Sequence, residues 1–404
     1  MQSFGASLKL AISTHRLSER GSVYLDFLRG LSAVLVMIGH LRGLFFVPFG
    51  EVANPTLVTK ALYFLTSLGH EAVVVFFVLS GYFIAGSVMR ALADGSWQWR
   101  PYMTRRFARL YVVLLPALVI GGLIDLAGIK LFGTSGIYWA DPDYRHIVPH
   151  AVQDRLNVQT FFANALFLQE IWSPTFGSNG PLWSLSYEFW FYVMFPCAAL
   201  FFAAGSRVIS RLLFGAAFVA ICFFVGPMIF AYFFIWLLGA AVVAMPRLKD
   251  SFAIRIGALV VIFVVCFALL AARGKMPLSE FSADALLAGV IAALIYVLAS
   301  WPRTGEAPSA FAIRFSYLSR DVAGFSYTLY LVHLPLLVFL EAAVVWNSGT
   351  RWQPDATHAA IASGIALFAI AYAFLISRVT EAHTAKVAAY FLGGKKGKGT
   401  KAAS

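Results

Sequence analysis

Long apolar runs, separated by short polar segments, set the pattern of this chain. Each run has about the 20 residues that a helix needs to cross the hydrocarbon core of a bilayer. The pattern therefore predicts ten membrane-spanning helices, of which the fifth and sixth are separated only by Gly226-Pro227. Their approximate bounds are 28–49, 68–89, 109–132, 182–204, 208–225, 227–245, 252–272, 282–300, 323–346 and 357–379.

The runs predict an all-α fold, a polytopic membrane bundle of ten helices over residues 27–380. Residues 1–26 form a polar segment before the first run, and residues 381–404 form a basic tail after the last. The longest connection, about 133–181, contains the half-length apolar stretch 160–171, which we expect to be interfacial or re-entrant. The chain thus has one membrane domain with two short flanking segments.

The composition is typical of a protein embedded in a bilayer, and the distribution of positive charge predicts how the chain is oriented in it. Of the 404 residues, 60% are hydrophobic and only 12% are charged, against about 25% charged in soluble domains. With a cytoplasmic N-terminus and alternating spans, 23 of the 31 Lys and Arg residues lie on the cytoplasmic side. Because positive residues favour that side, both termini are predicted to be cytoplasmic. The net charge of +12 is thereby explained without a nucleic-acid partner.

Several catalytic motifs are absent from the sequence. There is no G-x-S-x-G elbow, Walker A loop, dinucleotide-binding fingerprint, H-E-x-x-H or C-x-x-C. The three cysteines lie in apolar runs, where they behave as small hydrophobic residues. We therefore expect neither a metal ion nor nucleotide hydrolysis.

Ionisable residues at membrane depth are costly and point to function. Arg29 and His40 in the first span are eleven residues apart, which on a helix is about 20° beyond three full turns. Their side chains therefore share one helix face, with His40 predicted near the middle of the bilayer. Glu188 in the fourth span and His333 in the ninth are predicted at overlapping depths.

Two histidines and one carboxylate at one depth have the chemistry of general acid–base catalysis. A carboxylate can fix the tautomer of an imidazole and raise its basicity. On the ninth span, Ser326, Tyr330 and His333 are spaced to form one polar stripe. The alternative is that these groups only hydrogen-bond one another and hold the helices together. The shared face of Arg29 and His40 favours the catalytic hypothesis.

Arginines at the cytoplasmic start of the third span are a second group of candidates. Arg105 and Arg109 are four residues apart and share a helix face, and Arg106 lies between them. Together with Arg29 they are suited to bind phosphate groups, because a guanidinium forms paired hydrogen bonds with phosphate. The alternative is an ordinary positively charged cytoplasmic loop.

Other polar residues of the spans allow less specific expectations. Ser80 lies in a small-residue stretch that permits close helix approach or a polar lining. His70 and Glu71 open the second span near the outer interface, where we expect them to be solvated. Arg42 leaves the face of His40, and either lines the outer half of a cavity or extends outward to the headgroups.

Five segments of the sequence resemble, in the same order, the membrane-bound acyltransferase family 3. These bacterial proteins O-acylate polysaccharides, O-antigens, nodulation factors and macrolides. The family's Arg-x10-His spacing is intact in Arg29 and His40. The matching segments are LDFLRGLSAVLVMIGH, EAVVVFFVLSGYFI, RRFARLYVVLLP, NALFLQ followed by GPLWSLSYEFWFYVMFP, and SYTLYLVHLPL.

The resemblance implies a multi-pass enzyme of the bacterial inner (plasma) membrane. It implies that an acyl group, usually acetyl, is taken from cytoplasmic acyl-CoA and delivered to a hydroxyl, usually on a carbohydrate at the outer face. It also implies catalytic roles for Arg29, His40 and Glu188. The partners expected from it are acyl-CoA, a carbohydrate acceptor and membrane lipid, and a homodimer is left open.

The same motifs provide the residues expected to bind the two substrates. The basic motif implied at the acyl-CoA donor consists of Arg105, Arg106 and Arg109. The residues expected to line the substrate site are Ser80, Trp183, Ser186, Tyr330 and His333.

Two departures from the family pattern bear on the acceptor. Many members have Glu-Glu-Gln where this chain has Glu188 followed by Phe-Trp, which changes the second polar position. Many also carry a periplasmic esterase-like domain, whereas about 25 residues follow the last predicted span here, so we expect the bundle to work alone or with a partner.

Two other functions are compatible with buried ionisable residues. The first is a proton-coupled transporter or exporter that uses His40, Glu188 and His333 as a relay. The second is a structural or sensory membrane protein whose buried polar groups only hold helices together. Transfer of label from acyl-CoA to an acceptor separates the enzyme from both.

Overall fold

The ordered elements of this protein are helices. The computed structural model describes residues 17–133, 136–203, 207–249, 251–273, 277–302, 309–348 and 350–393. Within these ranges, strand-like pairing is confined to two isolated bridges, Phe46 with Trp352 and Gln169 with Ser173. The predicted all-α fold is thereby confirmed.

Twelve α-helices follow one another in the described chain, with short 3-10 turns between some of them. They are α1 (Glu19–Phe45), α2 (Leu57–Thr66), α3 (Gly69–Ala93), α4 (Trp99–Phe132), α5 (Val158–Ala165), α6 (Trp183–Phe202), α7 (Val208–Ala244), α8 (Phe252–Ala272), α9 (Glu280–Ala299), α10 (Ala310–Ser348), α11 (Ala356–Val379) and α12 (Thr384–Phe391).

Helix α7 is a hairpin of two helices. Nine helical segments of the described chain are long and apolar enough to cross a membrane, and α7 counts as one of them. At Gly226, however, φ is 80°, a left-handed conformation that interrupts the helix. The rings of Phe218 and Phe233 are 6.1 Å apart, although fifteen residues of straight helix would separate them by about 22 Å. The chain therefore reverses at Gly226, and the two arms bring the number of crossings to ten.

Burial divides the helices into an inner and an outer set. Helix α10 is at the centre, where Leu329, Leu331, Leu334 and Leu337 have no exposed surface. In contrast, α8 and the first arm of α7 expose large apolar side chains such as Phe263 along most of their length. Such surfaces are stable only against an apolar solvent, so these helices face lipid.

Several helices begin well before the apolar runs that reveal them. Helix α1 starts at Glu19, α4 at Trp99 and α10 at Ala310, each about two turns or more before the predicted start of its span. Ser18 caps α1 by accepting a hydrogen bond from the N–H of Gly21 at 3.0 Å. The polar first turns extend out of the membrane, where hydropathy does not detect them.

Prolines inside two helices release carbonyl groups that other residues then bind. Pro196 has no N–H for the carbonyl of Tyr192, and the hydroxyl of Tyr102 donates to that carbonyl at 2.9 Å. In the same way Pro335 releases the carbonyl of Leu331, to which the Asn179 amide donates at 2.8 Å. Because lipid offers no hydrogen bonds, each released carbonyl needs a partner from the protein.

The long outer segment is attached to the bundle by buried polar contacts. The carboxylate of Asp125 in α4 accepts hydrogen bonds from the N–H and the hydroxyl of Ser178 at 2.8 and 2.7 Å. The hydroxyl of Tyr144 donates to Glu341 of α10, which has no exposed surface. The short helix α5 overlaps the first part of the stretch 160–171, in which Phe162 and Leu166 are exposed. The segment is therefore a fixed part of the outer face.

The residues that follow the last span also pack on the bundle. Glu381 accepts two hydrogen bonds from Thr328, one from its N–H at 2.9 Å and one from its hydroxyl at 2.8 Å. Helix α12 then lies against α4, and Arg100 donates to the carbonyl of Phe391. The predicted tail thus begins with a packed helix, and its basic end, 394–404, lies outside the described residues.

We expect the Tyr102→Phe variant to lose about 1–3 kcal/mol of unfolding free energy, because it leaves the buried carbonyl of Tyr192 without a partner. In a Pro196→Ala background, the alanine N–H can bind that carbonyl, so the same change should cost less than about 1 kcal/mol. Reversible unfolding in mixed detergent micelles measures both costs. An equal loss of unfolding free energy in the two backgrounds would show that the Tyr102 hydroxyl does not compensate for the N–H that Pro196 lacks.

Candidate active site

The site is built on a close approach between α1 and α10. Gly30 permits it, because a Cβ at this position would be 2.8 Å from a methyl group of Val322. Beside it, Arg29 donates to the carbonyl of Ala323 at 3.3 Å and to the carboxylate of Asp26 at 3.1 Å. Eleven residues later His40 also meets α10, so Arg29 and His40 face the same helix.

His40 and His333 form a hydrogen-bonded pair in the middle of the bundle. Nδ1 of His40 is 2.8 Å from Nε2 of His333, and the rings are stacked with centroids 5.1 Å apart. Nδ1 of His333 lies 2.9 Å from the carbonyl oxygen of Leu329. His333 has no exposed surface, whereas His40 is half-buried.

This arrangement determines which nitrogens carry protons in the neutral pair. The carbonyl of Leu329 can only accept, so Nδ1 of His333 is the protonated nitrogen and its Nε2 is an acceptor. Nδ1 of His40 must then donate to that Nε2, which leaves Nε2 of His40 with a free lone pair. The pair therefore presents one basic nitrogen, on His40.

A cavity of about 260 Å³ lies between the pair and the end of the bundle that the charge pattern predicts to be cytoplasmic. At that end it is lined by Asp26 and Arg29 from α1 and by Arg106 and Arg109 from α4. The guanidinium of Arg106 lies over the Tyr102 ring, with its carbon 5.6 Å from the centroid. Three arginines therefore line this end of the cavity, with Asp26 beside Arg29 and with the carboxylates of Glu188 and Glu381 close enough for their charges to act on Arg109.

The opposite end of the cavity is closed by Tyr330 and Ser184, whose hydroxyl oxygens are 2.8 Å apart. The ring of Tyr330 also lies 6.3 Å from that of His333, centroid to centroid. Because His333 is three residues further along α10, the histidine pair lies about one helical turn, some 5 Å, beyond the cavity. Tyr330 is thus the residue shared by the cavity and the histidine pair.

Glu188 lines the cavity but does not contact the histidines in the described structure. Its carboxylate accepts hydrogen bonds from the hydroxyl of Ser80 at 3.4 Å and from that of Tyr192. Ser80 in turn accepts from the indole of Trp236 at 3.1 Å. Glu188 and the histidines therefore do not assemble into the relay that a proton-coupled transporter would use.

Three predicted site residues lie away from both the cavity and the histidine pair. Arg105 is exposed, and the inward pair on α4 is Arg106 and Arg109. Ser186 is fully buried and donates to the carbonyl of Phe167 at 2.9 Å, so it fastens α6 to the outer segment. Trp183 stacks on the ring of His70 at a centroid distance of 6.3 Å.

Several cavity residues were not predicted, although some had a signal in the sequence. Asp26 is three residues before Arg29, and Tyr192 is four residues after Glu188, so each shares a helix face with its partner. Glu381 does not line the cavity, but its charge acts on Arg29 and Arg109. It had no such signal, because only the fold brings it to Thr328.

The expectation that His70 and Glu71 are solvated is wrong. His70 lies 2.7 Å from the carboxylate of Asp284, which is fully buried and also accepts from the hydroxyl of Tyr232 at 2.6 Å. Arg273 bridges Asp284 at 3.0 Å and Glu71 at 3.1 Å. The partners of His70 and Glu71 lie in α7 and α9 and directly after α8. The sequence of the second span alone could therefore not predict them.

The family model described as "Acyltransferase domain" matches residues 22–378 of this chain. The chain is a member of this acyltransferase family. The match includes every residue that lines the cavity and both members of the histidine pair, and it extends over a bundle whose helices are long and apolar enough to cross a membrane.

One curated relative supports the family assignment of the acyltransferase. "Acyltransferase MdmB" of Streptomyces mycarofaciens is 32% identical over 169 residues, which are 42% of this chain and 37% of the relative. The match thus spans little more than a third of that protein's length. No solved structure matches the chain.

We expect Asp284→Asn to lower the unfolding free energy of the acyltransferase by roughly 3 kcal/mol, because it removes a buried charge that pairs with Arg273. Glu280→Gln is the matched control, since Glu280 is 71% exposed and 3.7 Å from His70 and should matter by less than about 1 kcal/mol. Detergent unfolding measures both, and similar losses would show that burial is not the cause.

Proposed function

We propose that this enzyme transfers an acyl group, acetyl in the simplest case, from cytoplasmic acyl-CoA to a hydroxyl of a carbohydrate at the outer face of a bacterial plasma membrane. The observation that carries the proposal is the histidine pair, whose one free basic nitrogen lies about a helical turn beyond an arginine-lined cavity. The resemblance of the motifs supports the donor and the acceptor class.

The arginines at the cytoplasmic end supply the contacts that coenzyme A requires. Its phosphates are anionic and bind guanidinium groups through paired, charge-assisted hydrogen bonds. Arg29, Arg106 and Arg109 line the same end of the cavity. The narrow pantetheine arm would then extend through the cavity toward Tyr330, with the nucleotide left at the cytoplasmic mouth.

Glu188 is better suited to bind the donor than to orient a histidine. It lies beside Ser80 and Tyr192 on the wall of the cavity. The pantetheine arm carries two amide N–H groups, which need acceptors once water is removed. In the proposed complex, the Glu188 carboxylate accepts one of these hydrogen bonds.

The histidine pair provides the base for the transfer step. Nε2 of His40 removes the proton of the acceptor hydroxyl while its oxygen attacks the thioester carbonyl. The new C–O bond forms, the C–S bond breaks, and the proton on His40 is returned to the departing thiolate of coenzyme A. His333 accepts the Nδ1–H of His40 throughout, which holds the ring and stabilises its positive charge.

A second route uses the same nitrogen as a nucleophile. Nε2 of His40 would attack the thioester carbonyl, the C–S bond would break, and coenzyme A would leave as a thiolate that takes up a proton. The acceptor oxygen would then attack the acyl-imidazole, which transfers the acyl group and frees His40 while the hydroxyl proton is released. Incubation with acetyl-CoA alone separates the routes, because only the second leaves an acetyl group on His40 that mass spectrometry detects.

We expect His40→Ala to reduce transfer of label from acetyl-CoA to the carbohydrate fraction of the cell envelope by roughly 10²–10⁴-fold, because it removes the base. His333→Gln should retain more activity than His333→Ala, since a glutamine oxygen can still accept from Nδ1 of His40.

Exposed His150 in the outer segment provides the control, because His150→Gln removes an imidazole far from the pair. Correct insertion of each variant is verified by its detergent-extracted yield and size. Transfer by a well-folded His40→Ala at the wild-type rate would contradict the proposed mechanism.

Two adjacent arginines test the donor site. Arg106→Gln should raise the KM for acetyl-CoA about tenfold or more, because a charged hydrogen bond to phosphate is lost. Arg105→Gln, one residue away and exposed, should leave KM within about twofold. Comparable KM values for the two variants would exclude the cavity as the donor site.

A further inference from the structure

A cluster of positive groups surrounds the outer end of α1, beyond the histidine pair. Arg42 is two residues after His40 in the last turn of α1. Arg351 is held close by its neighbour Trp352, whose N–H donates to the carbonyl of Phe45 at 2.8 Å and whose carbonyl accepts from Val47 at 3.0 Å. Two arginines from distant parts of the chain are thus fixed at one place.

Arg42 lacks a carboxylate partner among the described residues. Its guanidinium carbon is 5.3 Å from the centre of the Tyr63 ring, and the hydroxyl of Tyr63 is itself bound to the carbonyl of Val47. The Nε atom of Arg42 is buried and has no hydrogen-bond partner. A half-buried guanidinium without a counter-charge is costly, so its presence calls for an anion.

Arg351 is only partly neutralised by the protein. Its side chain is 6% exposed and lies over the Tyr144 ring, with the guanidinium carbon 5.3 Å from the centroid. Its nearest carboxylate, that of Asp143, is 3.6 Å away and 70% exposed. The buried carboxylate of Glu341 is bound by the Tyr144 hydroxyl and is close enough for its charge to act on Arg351. The carboxylates at this end of α1 therefore serve Arg351, and Arg42 is the guanidinium that they leave without a partner among the described residues.

His146 connects this cluster with the proposed base. It packs on Gly43, where a Cβ would be 3.1 Å from Nε2 of His146. Burial and the positive charges of Arg351 and Arg42 lower the pKa of His146, so it is neutral near pH 7 and donates or accepts hydrogen bonds. His146 is also close enough to His40 for their charges to interact. His146 therefore lies within reach of both the arginine cluster and the proposed base.

We propose that Arg42, with Arg351, binds an anionic group of the acceptor, so that the acylated carbohydrate is an acidic one. The inference rests on the proposed function, in which the acceptor reaches His40 from the outer face. A carboxylate of a uronic acid and a phosphate on a sugar have the shared chemistry that a guanidinium recognises. A neutral sugar would leave the Arg42 charge buried and unpaired.

The test measures binding to the full chain in nanodiscs of phosphatidylcholine, by calorimetric titration with glucuronate and with glucose. We expect glucuronate to bind more tightly than glucose, and Arg42→Gln to weaken glucuronate binding about tenfold or more while leaving glucose unaffected. Lys60→Gln is the matched control, because Lys60 is an exposed cation on the same side.

Two results would overturn the proposal: equal binding of glucuronate and glucose by the wild type, or unchanged glucuronate binding by Arg42→Gln. A second arm adds phosphatidylglycerol to the nanodisc. If that lipid abolishes glucuronate binding by the wild type, the anion at Arg42 is a lipid phosphate and the acidic-acceptor proposal is wrong.

Binding to the unacylated protein does not depend on which residue is the base. Transfer by His40→Ala at the wild-type rate, together with glucuronate binding that depends on Arg42, would contradict only the proposed function. Loss of transfer in His40→Ala, together with glucuronate binding that does not depend on Arg42, would contradict only the acidic acceptor.

Discussion

The approach of α1 to α10 at Gly30 is the contact on which the site depends. A side chain at residue 30 would collide with Val322 and push the two helices apart. The Arg29 contact with the carbonyl of Ala323 would then be lost at one end, and the 2.8 Å contact between His40 and His333 at the other. A single small residue thus sets the separation of the two helices that make both the Arg29 contact and the histidine pair.

The bilayer explains why so much of the fold is visible in the sequence. Spans must be about 20 apolar residues long, so hydropathy locates them, and the glycine of Gly226-Pro227 marks the one reversal without a polar loop. The partners of released carbonyls are less visible. The positions of Pro196 and Pro335 predict two backbone carbonyls that lack a partner within the helix. Only the packed bundle shows that Tyr102 and Asn179 donate hydrogen bonds to them.

The arrangement of site residues was predictable from the sequence where the residues concerned lie on the same helix. Arg29 and His40 share a face because of their spacing, and both meet α10. Predicted depth was insufficient for Glu188, because its carboxylate lines the cavity whereas the histidine pair lies about one helical turn beyond it. Direction around the helix was the difficulty for the arginines of α4, where a shared face with Arg105 was assumed and the inward residues are Arg106 and Arg109. Direction comes from tertiary packing, which hydropathy does not contain.

The hydrogen bonds between Glu381 and Thr328 connect the site to the way the chain is made. Arg29 is on α1 and Glu381 follows α11, so the two are synthesised and inserted at different times, yet the charge of Glu381 acts on both Arg29 and Arg109. The electrostatic surroundings of the cavity are therefore complete only when the final helix is in place. A partly inserted bundle would lack this carboxylate, so Arg29 and Arg109 would have one counter-charge fewer until the last crossing and the turn after it are in place.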